Sequence, residues 1–196
     1  MKAVNLRVAL MALTIGFVTL NQAEAMAQES VAERAPPPEA TDALLDMDQL
    51  IGKWHPVAES LSDGYKKWLI ENKISDSWVE FQWGTDKRWI DFSDWRVVET
   101  RPRRQGAGII AYDHSRHNIS FREHGAREVT VTGALERQDA LTITRDIAII
   151  SPTNSWRQID TWRWDKDNPD CFTWSSTSQK GTKTSEDEPY RLCRGK

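Results

Sequence analysis

The sequence predicts an all-β domain, a single antiparallel up-and-down barrel of about nine or ten strands, with a β-sandwich as the competing architecture. Three observations lead there. Apolar and polar residues alternate with a period of two through most of the stretch from Trp78 to Arg194, the spacing of a strand with two different faces. The alternating runs are short and are punctuated by turn residues at regular intervals. Consecutive short connections favour antiparallel neighbours, because parallel pairs need long crossovers. Closing such a meander into a barrel removes the exposed edges that an open sheet would leave.

The elements follow in order. Residues 1–27 have the layout of an export signal. Lys2 and Arg7 precede the uncharged stretch Val8–Leu20, and the small-x-small sites Ala23-Glu24-Ala25 and Ala25-Met26-Ala27 follow. That stretch is short for a membrane span. The expectation is a cleaved signal peptide, a periplasmic or secreted product and no stable membrane insertion. Residues 28–41 are polar and include Pro36-Pro37-Pro38, the composition of a disordered linker. Leu44, Leu45, Met47 and Leu50 recur at helical spacing behind Thr41, a suitable N-cap. A short helix therefore feeds a barrel domain spanning residues 42–196.

Ile51 to Val57 reads as the first strand. Leu61 to Lys73 is a helical insertion, capped by Ser62, with Tyr65, Trp68 and Leu69 on one face. Trp78–Trp83 and Arg88–Thr100 flank Gly84-Thr85-Asp86-Lys87, the loop of a β-hairpin. Strands are then expected at Ala107–Tyr112, Ile119–Glu123, Glu128–Glu136 and Ala140–Ile150. Ser155–Asp165 and Cys171–Ser178 flank a turn at Asp167-Asn168-Pro169-Asp170, and Tyr190–Arg194 makes a last short strand. The basic run Arg101-Pro102-Arg103-Arg104 reads as a solvated loop, with a clamp for carboxylate or phosphate as its functional alternative.

With 196 residues, 28% of them charged, and a net charge of −3, the chain has the size of one domain and no basic footprint for nucleic acid. Its two cysteines, Cys171 and Cys193, most simply form one disulfide in an oxidising compartment. The strand faces are mixed. In Ser155–Asp165 one face carries Trp156, Gln158, Asp160, Trp162 and Trp164, and the other Arg157, Ile159, Thr161 and Arg163. In Arg88–Thr100, Trp89, Asp91, Ser93, Trp95 and Val97 oppose Ile90, Phe92, Asp94, Arg96 and Val98. A dry sandwich core would show one plainly apolar face per strand. Mixed faces suit a hollow or half-filled barrel whose interior meets a polar ligand or water, and they do not choose which face turns inward.

Gly52-Lys53-Trp54 on the first strand, the early helical insertion, the up-and-down strand series and a late arginine, Arg191 or Arg194, resemble the calycin superfamily. This superfamily comprises the lipocalins and fatty-acid-binding proteins. The resemblance implies a tryptophan, Trp54, packed at the closed end beneath one of those arginines. It also implies ligand binding in the barrel as the default activity.

Ten tryptophans are the compositional oddity. Filling a core is one explanation, since each buries a large apolar area. Lining a cavity for a flat, conjugated or sugar-like molecule is the other. On the second reading the ligand-binding residues are Trp89, Trp95, Trp162 and Trp164, with Arg96, Tyr112, Gln158 and Asp160 orienting the ligand. His114, His117 and His124 lie in and after a turn that does not fix them on one face, so no metal site and no cofactor are assigned. There is no catalytic signature such as G-x-S-x-G, H-E-x-x-H or a P-loop. Whether the protein is an enzyme stays open, with Glu80, Asp91, Asp94 and Asp160 as candidate acids. The function expected is an exported, lipocalin-like protein that binds a small amphipathic or aromatic ligand in a Trp-lined cavity. The alternatives are a small barrel isomerase, cyclase or hydrolase using cavity carboxylates, and a glycan- or envelope-interacting module.

Overall fold

A computed structural model describes residues 38–195. The expected signal peptide, and the linker up to residue 37, lie outside the described residues. Helix α1, Pro38–Leu45, begins inside the segment expected to be linker, and a 3-10 turn at Asp48–Leu50 follows it. Of the apolar residues that signalled a helix, Leu44, Met47 and Leu50 are buried and Leu45 is exposed.

Eleven strands follow among the described residues. They are β1 Gly52–Pro56, β2 Ile74–Trp83, β3 Trp89–Val98, β4 Arg101–Asp113, β5 Asn118–Gly125, β6 Val129–Asp139, β7 Thr142–Ile150, β8 Ser155–Trp164, β9 Cys171–Lys180, β10 Lys183–Glu186 and β11 Tyr190–Arg194. Neighbours pair antiparallel in chain order from β1 to β9; β11 then bridges β9 and β1 and closes the ring. Ten strands thus form a closed barrel, and β10 hangs on β9 as an outer hairpin arm. The sandwich alternative is excluded by that closure.

Helix α2, Asp63–Glu71, is the insertion between β1 and β2, and the Ser62 side chain accepts from the Tyr65 amide at 3.2 Å as its cap. The strand series is as expected, with three differences. β2 starts four residues before Trp78. β10 is unheralded, since all four of its residues are exposed and carry no apolar period. The basic run Arg101–Arg104 is the start of β4 rather than a loop, and Gln105 is the extra residue of a bulge opposite β3. Those four residues are exposed, so their end of the strand has nothing apolar to bury.

The inner faces resolve the ambiguity of the mixed strands. β3 turns Ile90 and Phe92 inward, and β8 turns Asp160, Trp162 and Trp164 inward. One end of the barrel is packed solid. There Trp54 is fully buried against Trp164 and Phe172, and Leu44, Met47 and Leu50 join the same core. The guanidinium carbon of Arg194 stands 4.4 Å from the centre of the Trp54 ring, so Arg194, not Arg191, is the arginine over the tryptophan. Gly52 has φ +140°, and a Cβ there would strike the Arg194 guanidinium. The glycine of G-x-W is therefore what lets the arginine reach its place. The middle of the barrel is filled by Phe81, Phe92, Phe121 and Trp162, in mutual aromatic contact. The interior is thus more filled than the mixed faces led one to expect.

Cys171 and Cys193 are register partners on β9 and β11 and form a disulfide across 22 residues of sequence. Closing a loop of that length stabilises the fold by about 3 kcal/mol in the chain-entropy model. It also pins the short closing strand of the ring.

Candidate functional site

Among the described residues the buried polar side chains Ser77, Arg145 and Asp160 lie toward the end covered by α2. Strand β7 presents Ile143, Arg145, Ile147 and Ile149 inward, all buried. Arg145 is thus a single cation in an otherwise aliphatic row. Its register partner on β8 is Asp160, fully buried. Asp160 Oδ2 accepts from Arg145 Nε at 2.7 Å and also from Nη2. Its Oδ1 accepts from Ser176 Oγ at 2.6 Å, Gln158 Nε2 at 2.8 Å and Trp174 Nε1 at 3.3 Å. Five donors on one carboxylate offset much of the cost of taking it out of water.

The Arg145 guanidinium lies among three rings, 4.6 Å from the centre of Phe121, 5.3 Å from Trp162 and 5.2 Å from Trp174. Their faces substitute for part of its lost hydration. One donor is left over. Nη1 is buried with no protein partner.

Beside Arg145 is an inner chamber of about 180 Å3, lined among others by Tyr65, Ser77, Asp94, Glu123 and Tyr190. Burial pushes the carboxyls of Asp94 and Glu123 above their ordinary values; Arg96 opposes this at Asp94, and Arg145 opposes it at Glu123. Burial also raises the phenols of Tyr65 and Tyr190, so both keep their protons. Gly106 lies under Glu123, and a Cβ there would collide with the Glu123 carboxyl. That glycine makes room for an acid at the chamber wall.

Outside the chamber lies a vestibule of about 600 Å3. Its position follows from strand length. β1 and β11 have five residues each, whereas β2, β3, β8 and β9 have ten. The ring is therefore low on one side, and α2 lies across the notch. Tyr65 and Trp68 from α2 and Trp174 and Tyr190 from the barrel form its aromatic wall. Neighbouring rings are nearly parallel: Trp68–Tyr65 at 5.5 Å, Tyr65–Tyr190 at 6.2 Å and Tyr190–Trp174 at 6.0 Å between centres. Gln158 and Ser176 form the polar floor, and Glu186, Asp187 and Glu188 the rim. Tyr65, Trp174 and Tyr190 border both spaces.

The expected site residues are dispersed. Gln158 and Asp160 belong to the buried polar network, and Trp162 lies beneath it against Arg145. Arg96 is at the chamber, 3.6 Å from Asp94 and with its guanidinium carbon 4.8 Å from the centre of the Trp68 ring. Trp164 is at the packed end with Trp54. Tyr112 is half-buried near the turn that carries His114 and His117. Trp89 and Trp95 alternate with the inward residues of β3 and so face outward. Trp89 donates to Asp91, and Trp95 stacks on Trp78 at 5.7 Å. Arg145, Glu123, Ser77, Trp174, Tyr190 and the α2 aromatics are among the chamber and vestibule residues absent from the expected set. Among the described residues no group of three or more His, Cys, Asp or Glu is placed to hold a metal ion, and no helix is long and apolar enough to cross a membrane.

The raised carboxyl of Glu123 has a consequence for stability. A carboxyl whose folded value lies above its unfolded value binds protons more tightly when folded, so stability falls as pH rises through that window. Glu123→Gln is therefore expected to melt higher than the parent protein at neutral pH, with the difference closing below about pH 4, where both states are protonated. Calorimetric scans from pH 3 to 8 test this. A variant that melts lower at pH 7 would contradict the assignment.

No protein-family model matches the sequence, and comparison with curated proteins finds no match. Among solved structures the chain is similar to the crystal structure of Rv2717c from M. tuberculosis, with 13% sequence identity and a TM-score of 0.49 over 84% of this chain and 100% of that one.

Proposed function

We propose that this barrel binds a small amphipathic or aromatic molecule at the end covered by α2, as an exported carrier or binding protein. The observation that carries the reading is the vestibule: a hollow walled by four near-parallel rings, set over a buried polar network in which Arg145 Nη1 has no protein partner. Apolar walls with a few fixed polar groups are the usual make-up of a small-molecule site. Arg96, Gln158 and Asp160 orient the ligand, directly or by holding its neighbours, while Tyr65, Trp68, Trp174 and Tyr190 supply contact area. The Cys171–Cys193 disulfide supports an oxidising compartment.

Titration with a panel of small aromatic amphiphiles should quench intrinsic tryptophan fluorescence. Tyr65→Ala with Trp68→Ala should weaken the best ligand about tenfold or more, since each stacked ring contributes about 0.5–1.5 kcal/mol beyond its area. A flat response across the panel, or indifference to the double variant, rules the site out. Native mass spectrometry of protein taken from its own compartment would identify a retained ligand directly. A second reading, an enzyme using Asp94 or Glu123 as an acid, is favoured by their raised carboxyls beside an open chamber. The two part on turnover: a carrier returns its ligand unchanged.

A further inference from the structure

We infer that the ligand is a neutral saccharide, with hydroxyl groups of one sugar ring in the inner chamber and its C–H face against the vestibule aromatics. This rests on the reading of the same end as a small-molecule site and names the chemistry that fits it.

The argument starts from the unpartnered donor. Arg145 is 5% exposed, two of its nitrogens are spent on Asp160, and Nη1 is buried without a partner. A buried donor in that state calls for an acceptor. A carboxylate is the wrong one, for two reasons. The charge of Arg145 is already matched by Asp160 and that of Arg96 by Asp94. An entering anion would also add a buried negative charge beside Glu123, which lines the same chamber. A cation does not answer that donor either, because an ammonium offers no acceptor to Nη1. A hydroxyl group both donates and accepts through one oxygen. Adjacent hydroxyls of one ring can donate to the Glu123 or Asp94 carboxyl and, once a small turn of the guanidinium brings Nη1 to the chamber face, accept from Arg145, and they bring no net charge. The phenols of Tyr65 and Tyr190, both protonated, and the Ser77 hydroxyl extend the same two-way hydrogen bonding.

The vestibule agrees. The four rings follow one another at 5.5–6.2 Å between centres, too far for face-to-face overlap in contact, and all four border the vestibule. Stepped aromatic faces suit the flat apolar side of a sugar ring. Around them are the acceptors Glu186, Asp187, Glu188 and Gln158, and among the described residues that line the vestibule none is basic. An anionic ligand would have to pass that rim. A polyhydroxylated one can donate to it.

The test uses the mature protein and four phenyl glycosides (glucoside, galactoside, mannoside and N-acetylglucosaminide) beside phenylacetate and benzylammonium as charged aryl controls. Affinities are read by tryptophan fluorescence, and contact by saturation-transfer NMR. At least one glycoside should bind about tenfold or more tightly than either charged control, with saturation reaching its sugar-ring protons. Arg145→Lys, which withdraws the free donor, should weaken that glycoside about tenfold. Should that variant fold poorly, Glu123→Gln carries the same test, with an expected loss of about fivefold. Equal or tighter binding of a charged control, or a glycoside indifferent to both variants, overturns the inference while leaving the binding function standing. If no probe binds, both fall.

Discussion

Asp160→Ala is expected to cost about 3–5 kcal/mol of folding free energy, the range for breaking a buried ion pair by removing one partner. The cost comes from what stays behind. Arg145, 5% exposed and ringed by Phe121, Trp162 and Trp174, would lose both of its protein hydrogen bonds and its salt-bridge partner. Ser176 and Gln158 would lose their shared acceptor at the same time. For a domain of this size the loss corresponds to a fall in melting temperature of roughly 6–20 °C. Removing both charges, with Arg145→Met and Asp160→Leu together, should recover much of the loss, because neither member of the pair is then left in the interior without the other. Thermal unfolding of the single and double variants decides the matter. An Asp160→Ala melt within about 2 °C of the parent would mean that water reaches the pair and the site is not dry.

The second large effect is expected at the opposite end. Trp54 is fully buried, stands 4.9 Å from Phe172 and 6.3 Å from Trp164 in edge-to-face contacts, and donates from Nε1 to the Leu50 carbonyl at 2.7 Å. Trp54→Ala removes these contacts and the ring beneath Arg194, and should cost about 3–5 kcal/mol. Trp54→Phe keeps the bulk and loses chiefly the hydrogen bond and some area, so its cost should be markedly smaller. Urea unfolding measures both. A loss below about 1 kcal/mol for the alanine variant would show that the packed end collapses around the gap. Ligand affinity at the α2 end should change little in Trp54→Phe, because the two ends are separated by the aromatic layer in the middle.

The two ends also differ in how plainly the sequence announced them. The packed end was legible. Gly52-Lys53-Trp54 and a late arginine, left between Arg191 and Arg194, implied it through the calycin resemblance, and the apolar row Leu44, Met47, Leu50, read as a helix, packs into the same place. Strand positions were legible too, since a period of two and turn residues are local signals. The site was less so. Its inward faces change from apolar to polar along the barrel axis, so Trp164, Trp162, Asp160 and Gln158 lie on one face of β8 and no single hydropathy class marks it. Trp89 and Trp95 share the residue type of the interior tryptophans but stand on the other side of the pleat. Arg145 did carry a signal. A lone arginine in the alternating row Ile143, Arg145, Ile147, Ile149 demands a buried acid on a neighbouring strand, and Asp160 is the acid on the mixed face next to it. The α2 aromatics were legible as a helix face, but their position over a notch depends on the brevity of β1 and β11, a property of the closed ring and not of any one segment.

The β9–β10 arm has a consequence of its own. Because β10 pairs with β9 alone, the acidic threshold, Glu186 at the end of β10 with Asp187 and Glu188 in the link that follows it, lies outside the ten strands that close the cylinder. Selectivity at the doorway and durability of the vessel are thereby uncoupled. Lineages, or engineers, can rewrite the former residue by residue while the latter goes on being guarded by the disulfide and the tryptophan-filled base.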